Sequence, residues 1–210
     1  MTELPSTGPL VDVVARRPKR ADARRNHDAL LVAARDAFAA EGSRAPLEEI
    51  ARRAGVGIAT LYRNFPTRRE LLEAVYVHEV EALVDAAGEL AEASPWEALE
   101  AWLRRFIDYT ATKRAILEEL ASGSPLLTSC FDAIIAAGAP MLERAQASGE
   151  VRGDVSFDDV LRLISSVTMA VGPAPAQRSK LATIAIDGLR RQPDERFLSP
   201  HQSHGTDAVT

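Results

Sequence analysis

From Leu30 to Leu189 the apolar residues of this chain recur at every third or fourth position, and almost nowhere do they alternate with polar ones. A period near 3.6 buries one stripe of a helix, whereas a half-buried strand requires a period of two. The chain is therefore expected to be all-α. Its 210 residues, 46% hydrophobic, suffice for one domain or two small ones. No uninterrupted apolar run approaches the roughly 20 residues of a membrane span. The N-terminal MTELPSTGPLVDVVARRPKR lacks a signal-peptide core. No membrane association is expected, and a cytoplasmic location is the default. The single Cys130 permits no intramolecular disulfide, and no Cys/His group has zinc-ligand spacing, so no metal or other cofactor is expected.

Breakers and caps divide the periodic pattern. Residues 1–20, with three prolines and a terminal basic cluster, are expected to form a flexible basic arm. A helix follows from Asp22 to Glu41, carrying Leu30, Leu31, Ala34, Ala37 and Phe38 and stopped by Gly42. Pro46 to Ala54 is a short helix with Pro in its first turn and Glu48 and Glu49 at its positive end. Ile58 to Asn64 gives two more turns. Thr67-Arg68-Arg69-Glu70 is a capping box heading a helix to about Ala91, and Ser94-Pro95-Trp96-Glu97 heads another to about Thr112. A separate helix is expected from Lys113 to Ala121, and a long one from Pro125 to Ser148 with a kink at Pro140. Ser156-Phe157-Asp158-Asp159 starts a helix bearing Val160, Leu161, Ile164, Val167, Thr168 and Val171. After Gly172-Pro173-Ala174-Pro175 comes a last helix with Leu181, Ile184, Ala185, Gly188 and Leu189. Residues 193–210 are polar and aperiodic, an expected disordered tail.

The net charge of −5 conceals an asymmetry. Between Arg16 and Arg69 thirteen bases face six acids, whereas the remainder of the chain carries a net −12. Phosphate neutralisation supplies most non-specific DNA affinity, so a basic unit on an acidic body suits a nucleic-acid module, although a merely solvated basic surface has the same composition. Leu47 to Arg69, LEEIARRAGVGIATLYRNFPTRR, is more specific. A helix-turn-helix needs a small residue where its helices touch, a glycine in the turn, an aliphatic plug, and a second helix with one face free. Ala51, Gly55 and Val56 fill the first three roles, and Leu61 and Phe65 form the buried side of the second helix. The outward face is then Ile58, Ala59, Thr60, Tyr62, Arg63 and Asn64. Short polar side chains and an Arg suit base edges, and Tyr hydroxyl and guanidinium suit phosphate oxygens. Tyr62 fits packing against the first helix as well. Arg52 and Arg53 read as solvated helix surface. Arg16, Arg17, Lys19 and Arg20 fit either a minor-groove arm or a basic end without a role.

These residues, from about Arg24 to Tyr76, resemble the TetR-type transcriptional regulators: IARRAGV, a small pair, TLYRNFPTRRELL, then a long helix. Two positions depart from the common pattern. Ala45-Pro46 replaces a Thr that caps the second helix and touches phosphate, and Ile58 replaces a frequent Lys or other polar residue, suggesting a contact with a thymine methyl group. The resemblance implies a three-helix helix-turn-helix DNA-binding domain, residues 21–66, and a larger C-terminal helical domain for ligand binding and dimerisation, residues 67–192. It implies Thr60, Tyr62 and Arg63 on double-stranded operator DNA, with Arg68 on a phosphate. It further implies a homodimer built on the last two helices, for which Leu161, Ile164, Thr168, Leu181, Ile184, Ala185 and Gly188 are candidates, and an unidentified small-molecule effector.

In the C-terminal half Trp102, Phe106, Tyr109, Cys130, Phe131, Ile134, Met141 and Met169 fit either plain core or the lining of a ligand cavity. The four histidines are scattered, His27 and His78 reading as incidental surface residues. Glu118-Glu119 reads as helix surface and Asp158-Asp159 as a helix N-terminus. No neighbouring Ser/His/Asp or Cys/His set and no phosphate loop is present, so no catalytic residue is expected. The expectation is a ligand-responsive regulator, a repressor released from a palindromic operator by a small molecule. A constitutive or architectural DNA-binding protein is the alternative, and an all-α enzyme with a basic nucleotide-binding face is a third reading.

Overall fold

The computed structural model describes Val13 and residues 17–117, 124–169 and 175–191. Most of the expected arm, Glu118-Glu119, Val171, the Gly172-Pro173-Ala174 break and the expected tail lie outside the described residues. Within them are eight α-helices: α1 (Ala21–Glu41), α2 (Leu47–Arg53), α3 (Ile58–Asn64), α4 (Arg68–Glu89), α5 (Pro95–Leu117), α6 (Pro125–Ala147), α7 (Phe157–Thr168) and α8 (Pro175–Asp187). The protein is all-α. Among the described residues one antiparallel bridge, Val151 to Arg190, joins the α6–α7 turn to the chain after α8, with Arg152 N–H donating to Leu189 O at 3.0 Å and Arg191 N–H to Glu150 O at 2.9 Å.

Local chemistry sets the helix ends. Gly42 at φ 78° closes α1, its N–H returning to Phe38 O. Thr67 and Glu70 form the complete box at the head of α4, and Ser156 and Asp159 form another at α7, each satisfying amide donors that a helix start leaves orphaned. Pro46 sits one residue earlier than expected, as the cap before Leu47, and contributes no side-chain bond.

Two expectations change. The boundary between Thr112 and Lys113 is absent, and α5 runs through it to Leu117. Ala111-Thr112-Lys113-Arg114-Ala115 contains neither Gly nor Pro and no cap, so nothing there stops a helix. The helix α6 also proves long and apolar enough, by length and average composition, to cross a membrane. Scattered polar residues such as Asp132 interrupt its apolar runs without making it polar overall. Its Leu126, Cys130, Ile134, Met141 and Leu142 are buried, and it packs on α4, α5 and α7 as a core helix. The helix is continuous through Pro140, whose exposed position leaves solvent to satisfy the carbonyl its missing N–H abandons.

One apolar cluster extends from Leu30 to Leu189. Its centre is α4, which buries residues around most of its circumference and packs on α1, α5 and α6. The remaining helices close on this frame: α2 on α1, α3 on α2, and α7 and α8 on α5 and each other. Where α6 meets α7, Gly138 lets Phe157 approach so closely that a Cβ there would lie 2.2 Å from Phe157 Cζ and 3.0 Å from Trp102 Cη2. Gly88, near the end of α4, faces open space. Gly138→Ala is expected to destabilise the protein by about 1–3 kcal/mol through overpacking, while Gly88→Ala stabilises it by roughly 0.5–1 kcal/mol through helix propensity. Denaturant titration of both variants checks this pair of opposite signs.

Candidate nucleic-acid interface

The turn between α2 and α3 is built by its backbone. Gly55 has φ 70°, the left-handed region that side chains resist. Its N–H donates to Arg52 O at 3.1 Å, and Val56 N–H reaches back to Ala51 O at 3.0 Å. This pair of bonds is a Schellman motif, which ends α2 and aims the chain into α3. Val56, partly buried, packs against the core cluster to which Ile50 and Ala51 belong. Gly57 then caps α3 in extended conformation, its carbonyl accepting from Thr60 N–H at 2.8 Å.

From that start, Leu61 and Phe65 point inward and are buried, with His27 of α1 lying 5.0 Å from the Phe65 ring. His27 is thus not the surface residue expected. Burial lowers its pKa below the ordinary value, favouring the neutral imidazole. The opposite face of α3 is open. Tyr62 is 46% exposed, so it does not pack on α1, and Ile58, Ala59 and Arg63 are also exposed. Thr60 and Asn64 are half-buried at the edge of this face. Arg63 lies back along its own helix, donating from Nη2 to Thr60 Oγ1 at 2.8 Å and from Nε to Ala59 O at 3.2 Å. Asn64 Nδ2 donates to Thr60 O at 2.8 Å. The face thus presents a hydroxyl, a phenol, a guanidinium and a carboxamide around an apolar Ile58, a set able to meet both phosphate oxygens and base edges.

Several other bases are engaged within the protein. Arg52 and Arg53 both bind Glu49, at 2.7 Å, and Arg53 also reaches Glu41 at 2.9 Å, tying α2 to the end of α1. Bonds from Arg52 first, then Arg53, lower the Glu49 carboxyl to about 2. Arg17 binds Asp28 at 2.9 Å and lies 4.0 Å from Glu81 of α4. Arg68, expected on a phosphate, donates from Nη1 to Ser43 O at 2.9 Å and Ala45 O at 2.7 Å. That contact clamps the α1–α2 loop to the first turn of α4. No group of three or more metal-ligating side chains occurs among the described residues.

Residues 30–75 match the family model for bacterial regulatory proteins of the tetR family, and residues 94–191 match the C-terminal domain of SbtR-like transcriptional regulators. A TetR transcriptional regulator of Streptomyces coelicolor is 40% identical, covering 80% of this chain and 99% of its own, with a TM-score of 0.69. The chain belongs to the TetR family. A second TetR regulatory protein, from Mycobacterium vanbaalenii, is 36% identical over 83% of this chain and 100% of its own, with a TM-score of 0.63. No curated protein matches the chain.

The C-terminal half of this TetR-family regulator places the other expected residues unevenly. Trp102, Phe106, Tyr109, Cys130, Ile134 and Met141 are buried, Met169 is half-buried, and Phe131 faces outward. Trp102 stacks on Phe106 at 5.9 Å and donates its indole N–H to Leu83 O at 2.9 Å. On the last two helices Leu161 and Ile164 are each 1% exposed and fill the protomer's own core. They leave no side chain for a second copy, which removes them from the expected dimer interface. Leu181 and Ile184 are exposed, Gly188 is exposed, Thr168 and Ala185 are half-buried, and Leu163, which periodicity counting passed over, is 46% exposed. The missed signal was the second apolar face of α7, offset from the first by one residue.

The Arg68 clamp carries its own test. Arg68→Ala leaves two loop carbonyls without their donor and is expected to cost about 1–3 kcal/mol of stability, with faster amide exchange around residues 43–47. Unchanged stability and exchange would mean that the clamp does not hold the loop.

Proposed function

We propose that this TetR-family regulator is a homodimeric repressor that leaves a palindromic operator when a small molecule enters its C-terminal domain. The observation that carries the reading is the double membership of α4. Its first turn grips the loop of the helix-turn-helix through Arg68, while its middle turns form the core against α5 and α6. A displacement of α4 by ligand therefore reaches α3 through packed side chains. A cleft of about 250 Å³ between α1, the end of α3 and α4, lined by His27, Phe65 and Glu70 among others, leaves room for that movement.

In this reading residues 21–66 bind double-stranded DNA and residues 67–192 bind effector and partner. Ile58, Ala59 and Thr60, at the start of α3, meet base edges in the major groove, and Tyr62, Arg63 and Asn64 meet base edges or phosphates beside them. Arg63 exchanges its bond to Thr60 for DNA. The effector lies among α4, α5 and α6 near Tyr109, Cys130, Ile134 and Met141. Leu163, Thr168, Leu181, Ile184, Ala185 and Gly188 supply the dimer face, which sets the two α3 helices about 34–36 Å apart, one turn of duplex.

Binding to the intergenic DNA upstream of its own gene, with excess random DNA at roughly physiological salt, tests the assignment. Competitor-resistant binding is expected, and complete loss to competitor there and in selection from random DNA would refute it. Thr60→Ala is expected to shift preference among operator variants by about 1–3 kcal/mol at one base position; a uniform loss across all sequences would place Thr60 on the DNA backbone. Leu181→Glu with Ile184→Glu is expected to give monomers in sedimentation. A dimer that survives the double change would move the interface elsewhere.

A further inference from the structure

The cleft between α1, the end of α3 and α4 has a volume of about 250 Å³ and is open to solvent. An apolar cavity of about 150 Å³ already takes up benzene, so this volume suits one ring carrying a polar substituent. Part of the lining is made for such a ring. Phe65 and Ala74 are buried in it, Pro66 and Val13 add apolar surface, and the His27 and Phe65 rings lie 5.0 Å apart.

His27 is the polar atom that this lining leaves unserved. The residue is 8% exposed, and its Nδ1 is buried without a hydrogen-bond partner. Asp28 Oδ1, at 3.5 Å, is already taken by Arg17 at 2.9 Å. A buried polar group without a partner is costly, and one in a native structure calls for an ion, a water or a ligand. Burial favours the neutral ring, so His27 adds no charge to the cleft.

Charge comes from the other polar residues of the lining. Glu70 and Glu73 stand one turn apart on α4, against a single cation, Arg63. Arg63 is turned along its own helix, to Thr60 Oγ1 and Ala59 O. Glu73 Oε1 accepts from Arg69 Nε at 2.8 Å, which uses one of the about four acceptor positions of a carboxylate. An anion entering the cleft meets like charge, whereas a cation with N–H groups meets acceptors that form the stronger, charge-assisted bonds.

We propose that this cleft binds a small aromatic cation, an amidine or amine, with its ring among Phe65, Pro66 and His27 and its charged end toward Glu70 and Glu73. Arg63 and Asn64 belong both to this lining and to the outward side of α3, so the occupant bears on the helix proposed to read DNA. The site is separate from the C-terminal helices and does not depend on an effector there.

Calorimetric titration of the purified full-length protein with benzamidine tests it, with benzamide and benzoate as neutral and anionic analogues of nearly the same shape. Benzamidine is expected to bind saturably at one site, benzamide more than about tenfold more weakly, and benzoate not measurably. Glu73→Gln should bring benzamidine toward the affinity of benzamide, and Glu73→Asp should keep part of the difference. In the imidazole region of the NMR spectrum the His27 signal, assigned by its loss in His27→Gln, should move on addition of benzamidine. No saturable binding, benzamide or benzoate bound as tightly as benzamidine, affinity unchanged in Glu73→Gln, or binding that leaves the His27 signal in place would each overturn the proposal.

Discussion

The burial of α4 is the constraint on which the rest of the molecule depends. A 22-residue helix that buries Leu71, Leu72, Val75, Tyr76, Val77, Val80 and Leu83 must be covered on several sides, and the covering helices come from both halves of the chain. From the N-terminal half α1 supplies Leu31, Ala34 and Phe38 to the same cluster; from the C-terminal half α5 and α6 supply Trp102, Leu103 and Ile134. The helix-turn-helix unit and the C-terminal helices are therefore two ends of one hydrophobic core. Interiors at crystal-like density do not deform continuously, so a change at one end is passed on as a rigid movement of α4.

Much of this was legible in the sequence, for identifiable reasons. Gly55 could be assigned to the turn because the Schellman motif needs a left-handed residue and Val56 needs to fall inward one residue later. Leu61 and Phe65 are four apart and so share a face, which left Ile58, Tyr62 and Arg63 on the other. The capping boxes at Thr67 and Ser156 are purely local chemistry. Each of these readings depends on neighbours within one or two turns.

What was not legible depends on neighbours distant in sequence. Periodicity shows that Leu161 and Ile164 share a face but not whether that face meets α5 and α6 or a second protomer, and the structure gives it to α5 and α6. A count of charges shows thirteen bases in the N-terminal segment but not that Glu49, Glu41, Asp28 and two carbonyls occupy four of them. Fewer guanidiniums are thus free to meet a phosphate than the count of bases implies, whereas Arg63 bonds only within its own helix and stays exposed on the outward face of α3. His27 was invisible for the same reason: only the fold brings Phe65 over it.

Lys113 joins both kinds of reading. Its place at the end of the Leu99 to Tyr109 stripe is a local fact, available from spacing alone once α5 is known not to stop at Thr112. Its seat over the Tyr109 ring, 5.8 Å from Nζ to the ring centre, is a tertiary fact. Together they make the helix boundary decisive, because a helix broken before Lys113 would free the lysine to turn outward into water. On the proposed mechanism the energetics are modest. A ligand shifts an equilibrium only by its differential affinity for the two states, and loosening of an operator complex by 5- to 150-fold corresponds to about 1–3 kcal/mol of coupling. The same helix that carries Tyr76 begins at Arg68, so the ring that bonds Tyr109 of α5 and the guanidinium that clamps the α1–α2 loop are about two turns apart on one rigid rod.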